Sequence, residues 1–262
     1  MPIIDRDGAR IHYRDEGDGP PLVLHTGGAG DGTMWDRAGY TERLRDHRLL
    51  VVDHRGRGRS DPVAAVTGHT RTAYASDVIA VADAAGAGRF MFAGYSMGAG
   101  VGYRLAAAHP DRVSGVVAIG GAADEPGTPD DPAPLIELLE TGGMPALSEA
   151  IEADEQITLP AWLRQNFADT DAGQFVLSLR AWAEEGDTSW DDLAGIACPV
   201  ALVAGEREAP PGSLERTAAA IPGGAVVGRL PGLGHVGAFL DPEAVLALAQ
   251  PVLAAGRAPA PR

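Results

Sequence analysis

The sequence predicts an α/β fold: a mostly parallel sheet with helices on both faces and a helical cap inserted into it. Three observations predict it. Short apolar runs alternate with longer helix-like stretches along most of the 262 residues, which is the pattern of parallel strands joined by helical crossovers. One long interval, from about Ala122 to Asp192, holds no convincing strand, and an interruption of that size between two strands fits a helical insertion better than a loop. A serine stands between two glycines, in GYSMG at Gly94–Gly98, where an apolar run meets an Ala-rich segment.

The elements follow in order. Ala9–Arg14 (ARIHYR) alternates apolar and polar residues and reads as an edge-type strand, closed by the GDGPP turn. Leu22–Leu24 is a short buried strand ending at His25, followed by the Gly-rich loop TGGAGDG and a helical stretch to about Asp46. Leu49–Asp53 is a second buried strand, ended by HRGRGRSD, and Thr70–Ala85 is helical in pattern. Arg89–Tyr95 is a strand, Met97–Ala108 a helix and Val113–Gly120 a valine-rich strand. Pro199–Ala204 and Ala225–Leu230 are further strands, and the last helix runs from about Pro242 to Ala255. Residues 1–121 and 193–262 are therefore expected to form the core, and 122–192 the cap. The cap opens with DEPGTPDDPAP, too rich in proline and aspartate for a core. It continues with LIELLE, ALSEAIEA, AWLRQN and QFVLSLRAWAEE, and holds three of the four tryptophans, Trp162, Trp182 and Trp190.

Composition removes several function classes. The formal charge is −15, so the average surface repels a polyanion and nucleic acid is not an expected partner. All 21 basic residues are arginine, which excludes a Schiff-base lysine, a pyridoxal anchor and a P-loop lysine. The single Cys198 can form neither an internal disulfide nor a cysteine zinc cluster, and its place before Pro199 and an apolar run reads as a packed thiol. The histidines show no HxH or HExxH spacing, so no metal is expected, and no cofactor. GAGVG at Gly98–Gly102 lacks the spacing of a dinucleotide-binding loop. MPIIDRDGAR carries charge and no apolar core, and no apolar run reaches the about 20 residues that span a bilayer; the expectation is a cytoplasmic protein without a membrane partner.

In a chain with 35 glycines, a G-x-S-x-G match arises readily by chance, so its context has to decide. That context is a strand before the serine, a helix after it and a turn tight enough to need small neighbours. Ser96 then stands at the carboxyl end of the sheet, where the next helix points backbone N–H groups at developing negative charge. A serine hydroxyl needs a base. His235, in a Gly-flanked loop between the last strand and the last helix, fits best; His12, His47, His54, His69 and His109 read as solvated or capping residues. A carboxylate must orient the imidazole. Glu208, three residues past Gly205, is the leading candidate, with Glu206 and Asp124 as rivals.

The order Ser96, Glu208, His235 resembles that of the α/β-hydrolase superfamily. HTGGAGDGTMWD resembles the family's His-Gly oxyanion loop, DHRGRGRSD its Asp-x-Arg-Gly-x-Gly-x-Ser turn, and HPDRV its segment after the elbow helix. The resemblance implies a mainly eight-stranded sheet with the cap inserted after the sixth strand. It also implies an oxyanion hole from the backbone N–H groups of Gly27, or its neighbour Gly28, and of Met97. Thr26 departs from the family, which usually has a glycine there, and Glu208 replaces the commoner aspartate. Arg55, Arg57 and Arg59 read as loop-shaping residues rather than an anion clamp.

Together these features predict a serine hydrolase acting on a neutral, moderately apolar ester or lactone. Trp162, Phe167, Phe175, Leu177 and Trp182 are candidates to line its small-molecule pocket, or else to pack the cap onto the body. A C–C bond hydrolase or a perhydrolase would use the same triad, and a non-catalytic ligand receptor the same fold. An apolar face on the cap could pair subunits as a homodimer.

Overall fold

The structure, a computed structural model, describes residues 2–123, 131–185, 189–208 and 210–256. Its strands are β1 (Ile3–Arg6), β2 (Ala9–Glu16), β3 (Pro21–His25), β4 (Arg48–Val52), β5 (Phe90–Tyr95), β6 (Val113–Ile119), β7 (Val200–Gly205) and β8 (Val226–Leu230). They form one sheet of eight strands in the order β1-β2-β4-β3-β5-β6-β7-β8. β1 and β2 run antiparallel to their neighbours and the rest are parallel. Interior strands β5 and β7 are buried along their whole length, as expected of parallel strands covered on both faces.

The helices are α1 (Thr33–Arg37), α2 (Tyr40–Arg43), α3 (Arg71–Ala84), α4 (Met97–Ala108), α5 (Ala133–Glu155), α6 (Ala161–Ala168), α7 (Ala172–Glu184), α8 (Ser189–Leu193), α9 (Ser213–Ala220), α10 (His235–Phe239) and α11 (Pro242–Gly256). Strand alternation sorts the core into two layers. Leu50 and Val52 of β4 face a layer closed by Tyr74, Val78, Val101, Leu105, Leu193 and Leu214 from α3, α4, α8 and α9. Leu49 and Val51 face the other, closed by Trp35, Tyr40, Phe239 and Val245 from α1, α2, α10 and α11. Leu139, Leu163, Phe167 and Phe175 of α5–α7 join that second layer, which seats the inserted helices on the body.

Several expectations are corrected. β1 was not anticipated: its four residues alternate exposed and half-buried, with Ile3 53% exposed, so it has no apolar run to betray it. The helix expected up to Asp46 is two short ones, interrupted at Gly39 with φ 88°. His235 is not in a loop but opens α10. The histidines expected to be solvated or capping are largely buried, as His12, His47, His54 and His69 all are. His12 meets Asp53, 41 residues on, at 2.9 Å, a neighbour that no local reading shows, and His47 meets the adjacent Asp46 at 2.9 Å. Among the described residues no helix is long and apolar enough to cross a membrane, and Ile3 is the one large apolar side chain that is exposed.

His25 and His54 stack with ring centroids 4.9 Å apart, and Tyr74 lies 4.9 Å from His54. Burial pushes the His25 pKa down to about 4 against the opposing pull of the Thr26 carbonyl. Burial, then the charge of Arg57, pushes His54 well below its ordinary value of 6.5. The unfolded chain therefore binds protons below about pH 6.5 that the folded chain refuses, so stability falls as pH drops from there toward 4. Each such proton is worth about 1.4 kcal/mol per pH unit. Urea unfolding followed by circular dichroism is expected to show a midpoint that falls steadily over this interval. A midpoint that stays level would mean that these rings take up protons freely in the folded state.

Candidate active site

Local sterics build the turn at Ser96. Its backbone lies at φ 57°, ψ −122°, a sparsely populated region for a residue with a Cβ. A methyl group at Gly94 would lie 2.1 Å from the Gly98 carbonyl oxygen, and one at Gly98 would lie 2.6 Å from that of His25. Only glycine lets β5, α4 and the loop after β3 approach so closely. Ser96 is the N-cap residue of α4, yet its side chain does not cap that helix, and it is half-buried.

Ser96 is held at the carboxyl edge of the sheet by a 2.8 Å hydrogen bond from its N–H to the Ile119 carbonyl. Gly120, the residue just past the end of β6, is where the other two groups converge. A methyl group there would lie 2.9 Å from His235 Cε1 and 3.0 Å from Glu208 Oε1. His235 Nδ1–H donates to Glu208 Oε1 at 2.6 Å. The carboxylate can only accept, so it fixes the proton on Nδ1 and leaves Nε2 with a free lone pair. The other Glu208 oxygen accepts from the Gly205 N–H at 3.2 Å. Tyr95 stacks on the imidazole, centroids 4.9 Å apart at 25°, and its hydroxyl donates to the His235 carbonyl at 3.4 Å.

Burial alone would lower the His235 pKa, but the hydrogen bond and charge of Glu208, with the charge of Glu155, outweigh it and hold the value above 6.5. The rivals to Glu208 separate differently. Glu206 accepts from the Gly232 N–H at 3.0 Å, in the turn after β8, and Asp124 lies outside the described residues.

The loop after β3 closes the opposite side. A methyl group at Gly27 would lie 2.8 Å from Ser96 Cβ and 3.3 Å from its Oγ. At Gly28 it would lie 2.0 Å from the Phe175 ring and 2.7 Å from Met97 Sδ. Gly27 thus borders Ser96, whereas Gly28 is covered by Phe175. Arg57 supports this loop from behind. It is 2% exposed, its Nε–H donates to the Gly28 carbonyl at 2.7 Å, its Nη1–H donates to the Gly56 carbonyl at 3.1 Å, and its guanidinium lies 5.5 Å from the Phe175 ring centroid. Burial lowers its pKa to about 10. Arg55 donates to both oxygens of the buried Asp77, at 2.6 and 2.7 Å. Both guanidiniums are engaged inside the fold, in keeping with loop shaping.

The cap aromatics divide. Phe175 reaches the loop after β3 at Gly28. Phe167 is buried in the layer below the cap, and Trp162 packs half-buried against the same layer. Trp182 lies over Gly100, one turn into α4, where its indole N–H donates to the His69 carbonyl at 3.0 Å. It also faces Arg71 at 5.7 Å, so it ties α7 to the body. Leu177 on α7 is half-buried. Sequence reasoning missed Tyr95 and Glu155. Tyr95 was visible as the residue before the serine; Glu155 had no local signal.

Comparison with known proteins agrees with this architecture. Residues 20–146 match a family model described as the alpha/beta hydrolase fold. A thermophilic esterase from Thermogutta terrifontis superposes with a TM-score of 0.79 at 25% identity, over 98% of this chain and 97% of that one. The enol-lactonase from Burkholderia xenovorans LB400 superposes with a TM-score of 0.78 at 26% identity, over 97% and 99%. A non-heme chloroperoxidase from Streptomyces lividans is 36% identical over 120 residues, 45% of this chain and only 43% of that protein.

The turn carries a direct stability consequence. Gly94→Ala is expected to lower the unfolding free energy by about 3 kcal/mol, because the added methyl meets backbone that cannot move aside. Denaturant titration of the variant checks this, and a wild-type midpoint would show that the turn has room to relax.

Proposed function

This chain belongs to the α/β-hydrolase superfamily, and on that premise we propose that it hydrolyses a neutral, moderately apolar carboxylic ester or lactone through an acyl-enzyme on Ser96. The 2.6 Å hydrogen bond from His235 to Glu208, beside the residue that follows the Ser96 anchor on β6, supports this reading most. Nε2 of His235 takes the proton of Ser96 as its oxygen attacks the carbonyl carbon. The oxyanion accepts from the N–H groups of Gly27 and Met97. The imidazolium, steadied by Glu208, passes its proton to the leaving alkoxide. Water, deprotonated by the same histidine, then attacks the acyl carbon and frees the acid and Ser96.

Several features favour a neutral substrate. The chain's charge is −15, and Phe175 and Met97 supply apolar surface next to Gly28. Helices α5–α7 act as the cap over the acyl pocket, with Phe175 lining it beside Gly28; Trp162, Phe167 and Trp182 serve mainly to seat it. The similarity to a chloroperoxidase favours one second reading, in which hydrogen peroxide replaces water at the acyl-enzyme and releases a peracid.

Initial rates on a panel of short and medium acyl esters and simple lactones test the proposal. Ser96→Ala and His235→Ala are expected to remove nearly all turnover with circular dichroism unchanged, and Glu208→Ala about 10²- to 10⁴-fold. Turnover that survives Ser96→Ala would sink the acyl-enzyme. Because His235 must be neutral to accept a proton and its pKa is raised, kcat/KM is expected to fall on the acid side with a midpoint above pH 6.5. A midpoint below 6.5 would contradict the environment assigned to the imidazole.

A further inference from the structure

The C-terminal end of α5 reaches the site through a residue that the chemistry above leaves unused. The Glu155 carboxylate, 7% exposed, accepts from the Val236 N–H at 2.7 Å and from the Gly237 N–H at 2.9 Å. These are the amides directly after His235, in the first turn of α10, where backbone donors lack partners within the helix. The approach is close enough to dictate sequence: a methyl group at Gly234 would lie 2.5 Å from Glu155 Cδ. The same turn of α5 also grips the other partner of the imidazole. Arg207, next to Glu208, donates to the Asp154 carbonyl at 2.9 Å and to the Glu155 carbonyl at 3.1 Å. Its own N–H donates to the Leu233 carbonyl at 3.0 Å.

One turn of the inserted helices therefore holds the histidine segment through a side chain and the carboxylate segment through backbone. We propose that Glu155 is a positioning residue for His235, clamping α10 to the cap so that the imidazole is aligned toward Ser96 only while α5 is seated. This rests on the reading of His235 as the base. Groups facing the imidazole are Glu208, with Arg207 beside it, from the segment after β7, Tyr95 from β5 and Glu155 from α5. Glu155 adds to the negative charge around the imidazolium, so the clamp and the proton affinity of the base are coupled.

The test compares full-length wild type with Glu155→Gln and Glu155→Ala. Imidazole titration by nuclear magnetic resonance is read beside kcat, KM and the urea midpoint. Glutamine keeps the size of the side chain and one acceptor oxygen, but it loses the charge and sets an amide NH2 against one of the two backbone N–H groups that the carboxylate accepts from. It is expected to lower the His235 pKa by about half a unit and to move the acid limb of kcat/KM to lower pH by the same amount. Alanine also frees α10, and a roughly tenfold fall in kcat with little change in KM is expected. If alanine fails to fold, glutamine alone decides. A His235 titration and pH profile identical to wild type in the glutamine variant, with only the urea midpoint altered, would overturn the proposal and leave Glu155 a structural tie. The resonance titration reports on the clamp even if no ester is turned over, so failure of the hydrolase reading is seen separately.

Discussion

The backbone of Ser96 is held at a positive φ between a strand and a helix that are both locked by burial, and most of the site depends on this constraint. Such a conformation costs on the order of 1–3 kcal/mol. It persists because β5 is buried from end to end, because the Ser96 N–H is committed to the Ile119 carbonyl, and because Gly94 and Gly98 let three backbones meet at contact distance. The strain lifts the serine out of the sheet and away from helix capping. It also fixes the height at which every other group must arrive. The loop after β3 arrives with Gly27, the end of β6 with Gly120, and the segments after β7 and β8 with Glu208 and His235.

Burial does different work on different charged and titratable groups around this turn. His25 and His54, stacked under the loop after β3, are driven toward neutrality. Arg57 sits behind the same loop and donates to the carbonyl oxygens of Gly28 and Gly56. His235 moves the other way because two carboxylates face it. His235 thus differs from the stacked pair His25 and His54 in having carboxylates beside it. The two carboxylates near His235 come from different parts of the chain, Glu208 from the sheet edge and Glu155 from the inserted helices.

Legibility in the sequence followed the range of the physics. The parallel strands and α4 could be read because each is a local apolar run, and Met97–Ala108 has the expected bounds. GYSMG was readable because its demand for small neighbours is local. Glu208 could be ranked above Glu206 from its distance past β7; two residues of offset send Glu206 to the Gly232 N–H and Glu208 to His235. β1 escaped because half of it faces solvent. Buried His12 and His54 escaped because their neighbours, Asp53 and His25, lie far along the chain. Glu155 is one acid among Glu149, Glu152 and Asp154 in a single helical stretch, and only the packing of α5 against α10 sets it apart.

The central claim is that Ser96 is an activated nucleophile. The most direct test is intact-mass analysis of wild type and Ser96→Ala after exposure to a fluorophosphonate, which forms a stable adduct only with a serine whose proton is accepted by a base. The account predicts a single adduct on wild type and none on Ser96→Ala. An unmodified, folded wild type, or equal labelling of the two proteins, would contradict it.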